Sequence, residues 1–138
     1  MRRLAKVGGI VSTRDCVRRI LHPPEPKLLE HLEKFYQYSR GKGSEPDFGQ
    51  QNHEAAHAAG FEWGDIEMTC WGSEESGEAG REMFVQAAKD FMRDALTAAG
   101  LATESEMDEY SKTWQEWGQK PESRMMMLDS ALLCWRRD

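Results

Sequence analysis

Apolar residues recur with two different periods along this chain. Gly8–Asp15 (GGIVSTRD) is a short β-rich run opened by a glycine turn, which predicts a buried strand. Prolines 23, 24 and 26 then lead into a predicted helix from about Glu25, with Leu28, Leu32, Phe35 and Tyr36 on one face. The stretch Gly41-Lys42-Gly43-Ser44 ends it. A second helix is predicted from Asp47, an N-cap residue with Gln50 three positions on, to Gly60. Phe61–Trp71 changes to period two, with Ile66, Met68 and Cys70 alternating against Asp65, Glu67 and Thr69. The strongest helical stripe runs from Gly77 to Ala99 through Met83, Phe84, Ala87, Ala88, Phe91, Met92, Ala95 and Leu96, with Gly100 as its stop. Thr103 and Glu106 form a capping box for a further helix with Met107, Tyr110, Trp114 and Trp117 on one face. After Pro121, Met125–Trp135 reads as a last strand. The order β, α, α, β, α, α, β predicts an α/β domain, with one cysteine on each strand.

The 138 residues suffice for one core, and 39% hydrophobic with 30% charged residues is a globular composition. No apolar run is long enough for a membrane span or a signal core, so the expected location is the cytoplasm. The net charge of −6 argues against nucleic acid as a partner. Arg2, Arg3, Arg14, Arg18, Arg19, Arg136 and Arg137 lie towards the two ends, and would form a small basic patch if the termini meet or a solvated surface otherwise. Cys16, Cys70 and Cys134 have no CxxC spacing and read as small buried hydrophobes of a reducing compartment.

Candidate chemistry is sparse. His53-Glu54-Ala55-Ala56-His57 matches the HExxH pattern of zinc hydrolases, in which two imidazoles share a helix face and the glutamate serves as general base. Gly60 extends the match, but Trp63 stands where a third ligand is required. Glu75, Glu78 and Glu82 are substitutes that nothing singles out, and the plain alternative is an alanine-rich packing helix with both histidines near the surface. No P-loop, GxGxxG or GxSxG motif occurs, and Gly8-Gly9 is a turn signal rather than a phosphate cradle.

The stretch Met1–Asp15 (MRRLAKVGGIVSTRD) resembles the helix end, glycine turn and fifth strand of class I S-adenosylmethionine-dependent methyltransferases, whose small-molecule members read like "xMRRVLKPGGxVxxRD". Glu45–Phe61 (EPDFGQQNHEAAHAAGF) resembles the helix leading to their sixth strand. Trp114 to Trp117 and the ending Leu132-Leu133-Cys134-Trp135 are similar to the tail of fungal and bacterial natural-product members. Val7 stands where proline is frequent and Gln50 where arginine is frequent. In that family the glycine-rich cofactor loop and its acidic partner belong to the first four strands, which have no counterpart in this sequence. The resemblance thus implies a truncated Rossmann-like methyltransferase half, a three-stranded mixed sheet flanked by about four helices, with the last strand between the other two and antiparallel to both. It implies no cofactor for the chain alone, and a small organic molecule bound or transformed in a cyclase or isomerase manner. The alternative is a subunit of a split methyltransferase completed by a partner chain. The bare edge of the first strand is expected to pair with a second copy or with that partner.

Ligands of open α/β sheets sit beyond the carboxyl ends of parallel strands. The first strand offers Arg14 and Asp15 at that end, and the second offers Trp71. The helix that covers the acceptor in the family offers Tyr36 and Tyr38, and the next helix offers His53. These six residues are expected to line one pocket, with Asp15 or His53 moving a proton and Arg14 stabilising negative charge. The competing reading makes Arg14 and Asp15 a local ion pair, Tyr36 and Trp71 core residues, and His53 solvated.

Overall fold

The computed structural model describes residues 1–75 and 78–138. Three strands, β1 (Ile10–His22), β2 (Ile66–Glu75) and β3 (Arg124–Trp135), form one sheet in the order β1-β3-β2. The Gly8 amide donates to the Arg136 carbonyl at 2.7 Å, the Arg136 amide donates to Gly9 at 2.9 Å, and Arg14 reaches Asp129, so β1 runs antiparallel to β3. Asp65 lies against Arg137 and Gly72 against Leu128, which makes β2 antiparallel to β3 as well. The last strand is therefore central, and the two outer strands share a direction. Five α-helices accompany the sheet among the described residues: α1 (Pro26–Gly41), α2 (Asn52–Ala58), α3 (Glu78–Ala88), α4 (Arg93–Ala98) and α5 (Glu104–Gln119). The fold is α/β, and no helix is long and apolar enough to cross a membrane among the described residues.

The chain divides into two compact units, residues 1–19, 47–73 and 127–138 in the first and 20–46 and 74–126 in the second. In the first, Phe61, Leu132 and Cys134 are buried together, with Val11, Ala56 and Ile66 packed against them. The termini of this unit meet: Arg2 pairs with Asp138, and Arg136 donates to the Ala5 carbonyl at 2.6 Å. In the second, Leu96, Ala102, Met107 and Tyr110 form a buried cluster, and Trp114 and Trp117 pack edge to face with centroids 5.8 Å apart. The face predicted for α5 is the buried one, and its capping box is present, with Glu106 accepting from the Thr103 amide at 2.7 Å.

Several boundaries differ from those predicted. β1 continues past Asp15 for seven more residues to His22. Its charged half is kept in the strand by long-range partners, since Arg19 pairs with Asp47 at 3.7 Å and Gln50 donates to the Val17 carbonyl at 2.8 Å. Asp47 stands at the N-cap position of a 3-10 turn, Phe48–Gln50, without a side-chain cap bond, and the shorter α2 follows with Gln51 as its N-cap. Another 3-10 turn, Trp63–Asp65, occupies the start of the expected Phe61–Trp71 strand, which then extends to Glu75. Met68 and Cys70 are exposed, so the apolar set of β2 is covered only near Ile66 and the expectation of a buried Cys70 is corrected. Gly77 and the side chains of Glu75, Glu78 and Phe84 lie outside the described residues. The predicted glycine stops at Gly43, Gly60 and Gly100 all adopt positive φ, with Phe61 reaching back to the Ala56 carbonyl and Leu101 to that of Leu96.

The long helix predicted up to Ala99 is broken into α3 and α4. Met92 adopts φ 62°, with neither glycine nor proline at the break. His31 holds a carbonyl inside it. The Trp114 indole N–H can only donate and reaches His31 Nδ1 at 3.1 Å, so the imidazole carries its proton on Nε2 and donates to the Phe91 carbonyl at 3.0 Å. That carbonyl is withdrawn from helical pairing. The ring is 2% exposed and stacks on Tyr110 with centroids 4.7 Å apart.

Burial holds the His31 pKa below its ordinary 6.5, with the charges of Lys34 and Arg93 acting in the same direction. The unfolded chain then binds this proton more readily than the folded one. His31 therefore contributes stability that is complete above about pH 6.5 and declines as the pH falls below it. The Glu106 carboxyl is held at about 2 by the Thr103 amide and then by Lys34, so its contribution is full above its ordinary 4.5 and is lost as the pH falls from there to about 2. The thermal midpoint is expected to fall already between about pH 6.5 and 5. Proton NMR of the His31 ring should give a midpoint under 6.5, and one at or above that value would contradict the account.

Candidate functional site

Four of the six predicted site residues lie in the first unit, and strand geometry sorts them. Arg14 and Asp15 are consecutive in an extended strand, so their side chains leave on opposite faces of the sheet. The expectation that both line one pocket is thereby corrected. Neither stands at a strand end: both are within the first half of β1, and Trp71 is followed by four more residues of β2.

On the first face, Arg14 donates through Nε and Nη2 to Asp129 Oδ2, at 3.1 and 2.7 Å. Its guanidinium lies over the Trp71 ring, 5.0 Å from the centroid. The Arg14 side chain is 66% exposed and that of Asp129 only 8%, so Asp129 anchors a cation that still reaches solvent. The Arg14 partner is Asp129 and not the adjacent Asp15. Sequence reading missed Asp129, whose signal was a lone acid inside the apolar run of β3.

On the other face, Asp15 is half-buried and accepts from Asn52 Nδ2 at 3.4 Å. The same amide nitrogen donates to Ser130 Oγ at 3.0 Å, and Ser130 donates onward to the Gly49 carbonyl at 3.1 Å. Asn52 and Ser130 are both buried. This chain of donors fixes the amide orientation and leaves Asn52 Oδ1 buried without a partner. Thr13 Oγ1 on β1 and His53 Nδ1 on α2 are in the same condition. Three unpaired polar atoms thus lie on β1 and the first residues of α2, and of these residues Asn52 is the one bonded to Asp15. Gly49 is required here, because a Cβ would lie 2.6 Å from the Cys16 carbonyl oxygen and 2.9 Å from that of Asp15.

The second histidine of the HExxH match has another role. His57 Nδ1 bonds the Phe61 carbonyl at 2.9 Å, and its ring stacks on Trp63 at 4.0 Å, with His53 6.3 Å from the same indole. A tryptophan faces both imidazoles where a third ligand would stand. No group of three or more His, Cys, Asp or Glu side chains with metal-binding geometry occurs among the described residues.

Tyr36 and Tyr38 belong to α1 in the second unit. Tyr36 rests on Phe35, with the Arg40 guanidinium 5.5 Å from its centroid. Tyr38 packs against the cluster around Leu96, with the Lys42 ammonium 5.6 Å from its ring.

No known protein family matches the sequence, and no curated protein is significantly similar to it.

Replacing Asn52 by alanine removes the donor that links Asp15 to Ser130, and is expected to cost about 1–3 kcal/mol. Gly49→Ala sets a methyl group against two backbone carbonyls and should cost a comparable ~1–3 kcal/mol. Urea unfolding of both variants measures this, and wild-type midpoints would remove the network from the account of the site.

Proposed function

We propose that this chain is a methyltransferase-like half-domain of small-molecule, natural-product metabolism that binds or transforms a small organic molecule and does not carry out methyl transfer from S-adenosylmethionine alone. The observation that carries this reading is the strand order β1-β3-β2, with the last strand central and antiparallel to both neighbours. That arrangement is the one the sequence resemblance implies for the fifth, seventh and sixth strands of the family. The glycine pair before β1 supports the second half of the reading. Its backbone groups are engaged with Arg136, the Gly8 amide as donor and the Gly9 carbonyl as acceptor, so Gly8-Gly9 takes part in the sheet.

Within this reading the α2 face is the reactive one. Asp15 and His53 are the groups to move a proton, and the unpaired Thr13 Oγ1, Asn52 Oδ1 and His53 Nδ1 are donors and acceptors for a polar substrate. Arg14 and Trp71 form a separate cationic and aromatic platform on the opposite face, suited to a flat, electron-rich molecule.

A split enzyme is the second reading, favoured by the place of β1 at the sheet edge. The first residues of β1 offer backbone donors and acceptors to another chain, either a second copy or one bearing the cofactor half, while Gly49 lies against the Asp15 and Cys16 carbonyls and Gln50 takes that of Val17.

Titration calorimetry of the isolated chain with S-adenosylmethionine is expected to give no saturable heat. One-to-one binding would overturn the proposal, because a complete cofactor site would then exist here. Light scattering is expected to report a dimer, through the β1 edge. A monomer at every accessible concentration would remove the self-pairing arm.

A further inference from the structure

Helices α3 and α5 of the second unit enclose an open cleft of about 540 Å³ that the reading above does not use. The volume falls within the roughly 300–1,000 Å³ typical of small-molecule sites. Its chemistry is unusual for a groove between two amphipathic helices. Arg81 and Glu82 line it from α3, and the carboxamides of Gln86, Gln115 and Gln119 join them. The remaining lining is Val85 against Gly118. A Cβ at position 118 would lie 2.4 Å from a Val85 methyl carbon, so glycine sets the close approach of the two helices and with it the cleft's shape.

The arginine is the pointer to a ligand. Its Nη1 makes one long contact, 3.4 Å to the Pro121 carbonyl, and its Nε is shielded from solvent with no hydrogen-bond partner. A guanidinium N–H withdrawn from water and left unpaired is costly, and a carboxylate that accepts two parallel N–H bonds relieves that cost. Beside it, Glu82 calls for a donor. One positive and one negative side chain flanked by three neutral carboxamides match a ligand that carries both charges and no excess of either. A polyanion such as nucleic acid would meet Glu82 as repulsion.

We infer that this cleft is a binding site for a small zwitterion, its carboxylate on Arg81 and its ammonium towards Glu82, with the glutamines bonding the intervening polar groups. The site is independent of the methyltransferase-like reading and of the two faces of the sheet in the first unit.

Amide NMR shifts of the full chain during titration with 4-aminobutyrate, 5-aminopentanoate and 6-aminohexanoate test it, with hexanoate and hexylamine as singly charged controls. Saturable shifts confined to α3 and α5 are expected for at least one zwitterion, with weaker binding of both controls. Arg81→Gln should weaken that binding by roughly tenfold or more, the size of one charge-assisted hydrogen bond, with the far-ultraviolet circular dichroism unchanged. Gly118→Ala, which alters the cleft without touching a charge, should weaken it as well. Absence of saturable shifts with all three zwitterions overturns the inference. So does equal affinity of a zwitterion for the wild type and Arg81→Gln.

Discussion

Asp129 and Ser130 are neighbours on the central strand, and both are buried. Because consecutive strand residues face opposite ways, one sheet must supply a polar partner on each side or pay for two stranded groups. Arg14 answers on one side and is in turn held against Trp71. Asn52 answers on the other, at the start of α2, and Ser130 fastens the Gly49 carbonyl below it. Side-chain contacts thus lead from these two residues to β1, β2, α2 and the turn before α2. An apolar pair at 129 and 130 would remove that specification while leaving the strand intact.

The helix stops were legible in the sequence because a glycine acts locally. Gly43, Gly60 and Gly100 each need only their own few residues to form the reverse hydrogen bonds. The capping box and apolar face of α5 were legible for the same reason. The break after α3 was not. The apolar stripe continues unchanged through Phe91 and Met92, and the carbonyl inside the break is held by an imidazole sixty positions earlier in the chain, itself fixed by an indole on a third helix. Likewise nothing near Arg18 and Arg19 announces a strand, and the partners that hold β1 extended there come from residues 47 and 50.

The candidate site divides along the same line. Strand alternation already separates Arg14 from Asp15, and follows from their numbers once the strand is accepted. Arg14 and Asp15 are charged residues of a predicted strand, whereas the residues that bond them, Asp129 on one face and Asn52 with Ser130 on the other, carry no motif. A buried asparagine or serine is chosen by what lies across the sheet, and that is information of tertiary origin.

The split of the long helix leaves α4 with six residues, from Arg93 to Ala98. A helix of that length has almost no stability in water by itself. It persists because Leu96 is fully buried with Ala102, Met107 and Tyr110, and because Arg93 binds Asp90, Glu104 and Asp108 together. Thermodynamically α4 is thus not a separate module. It cannot unwind without opening the cluster it plugs, so its lifetime is that of the helical unit as a whole.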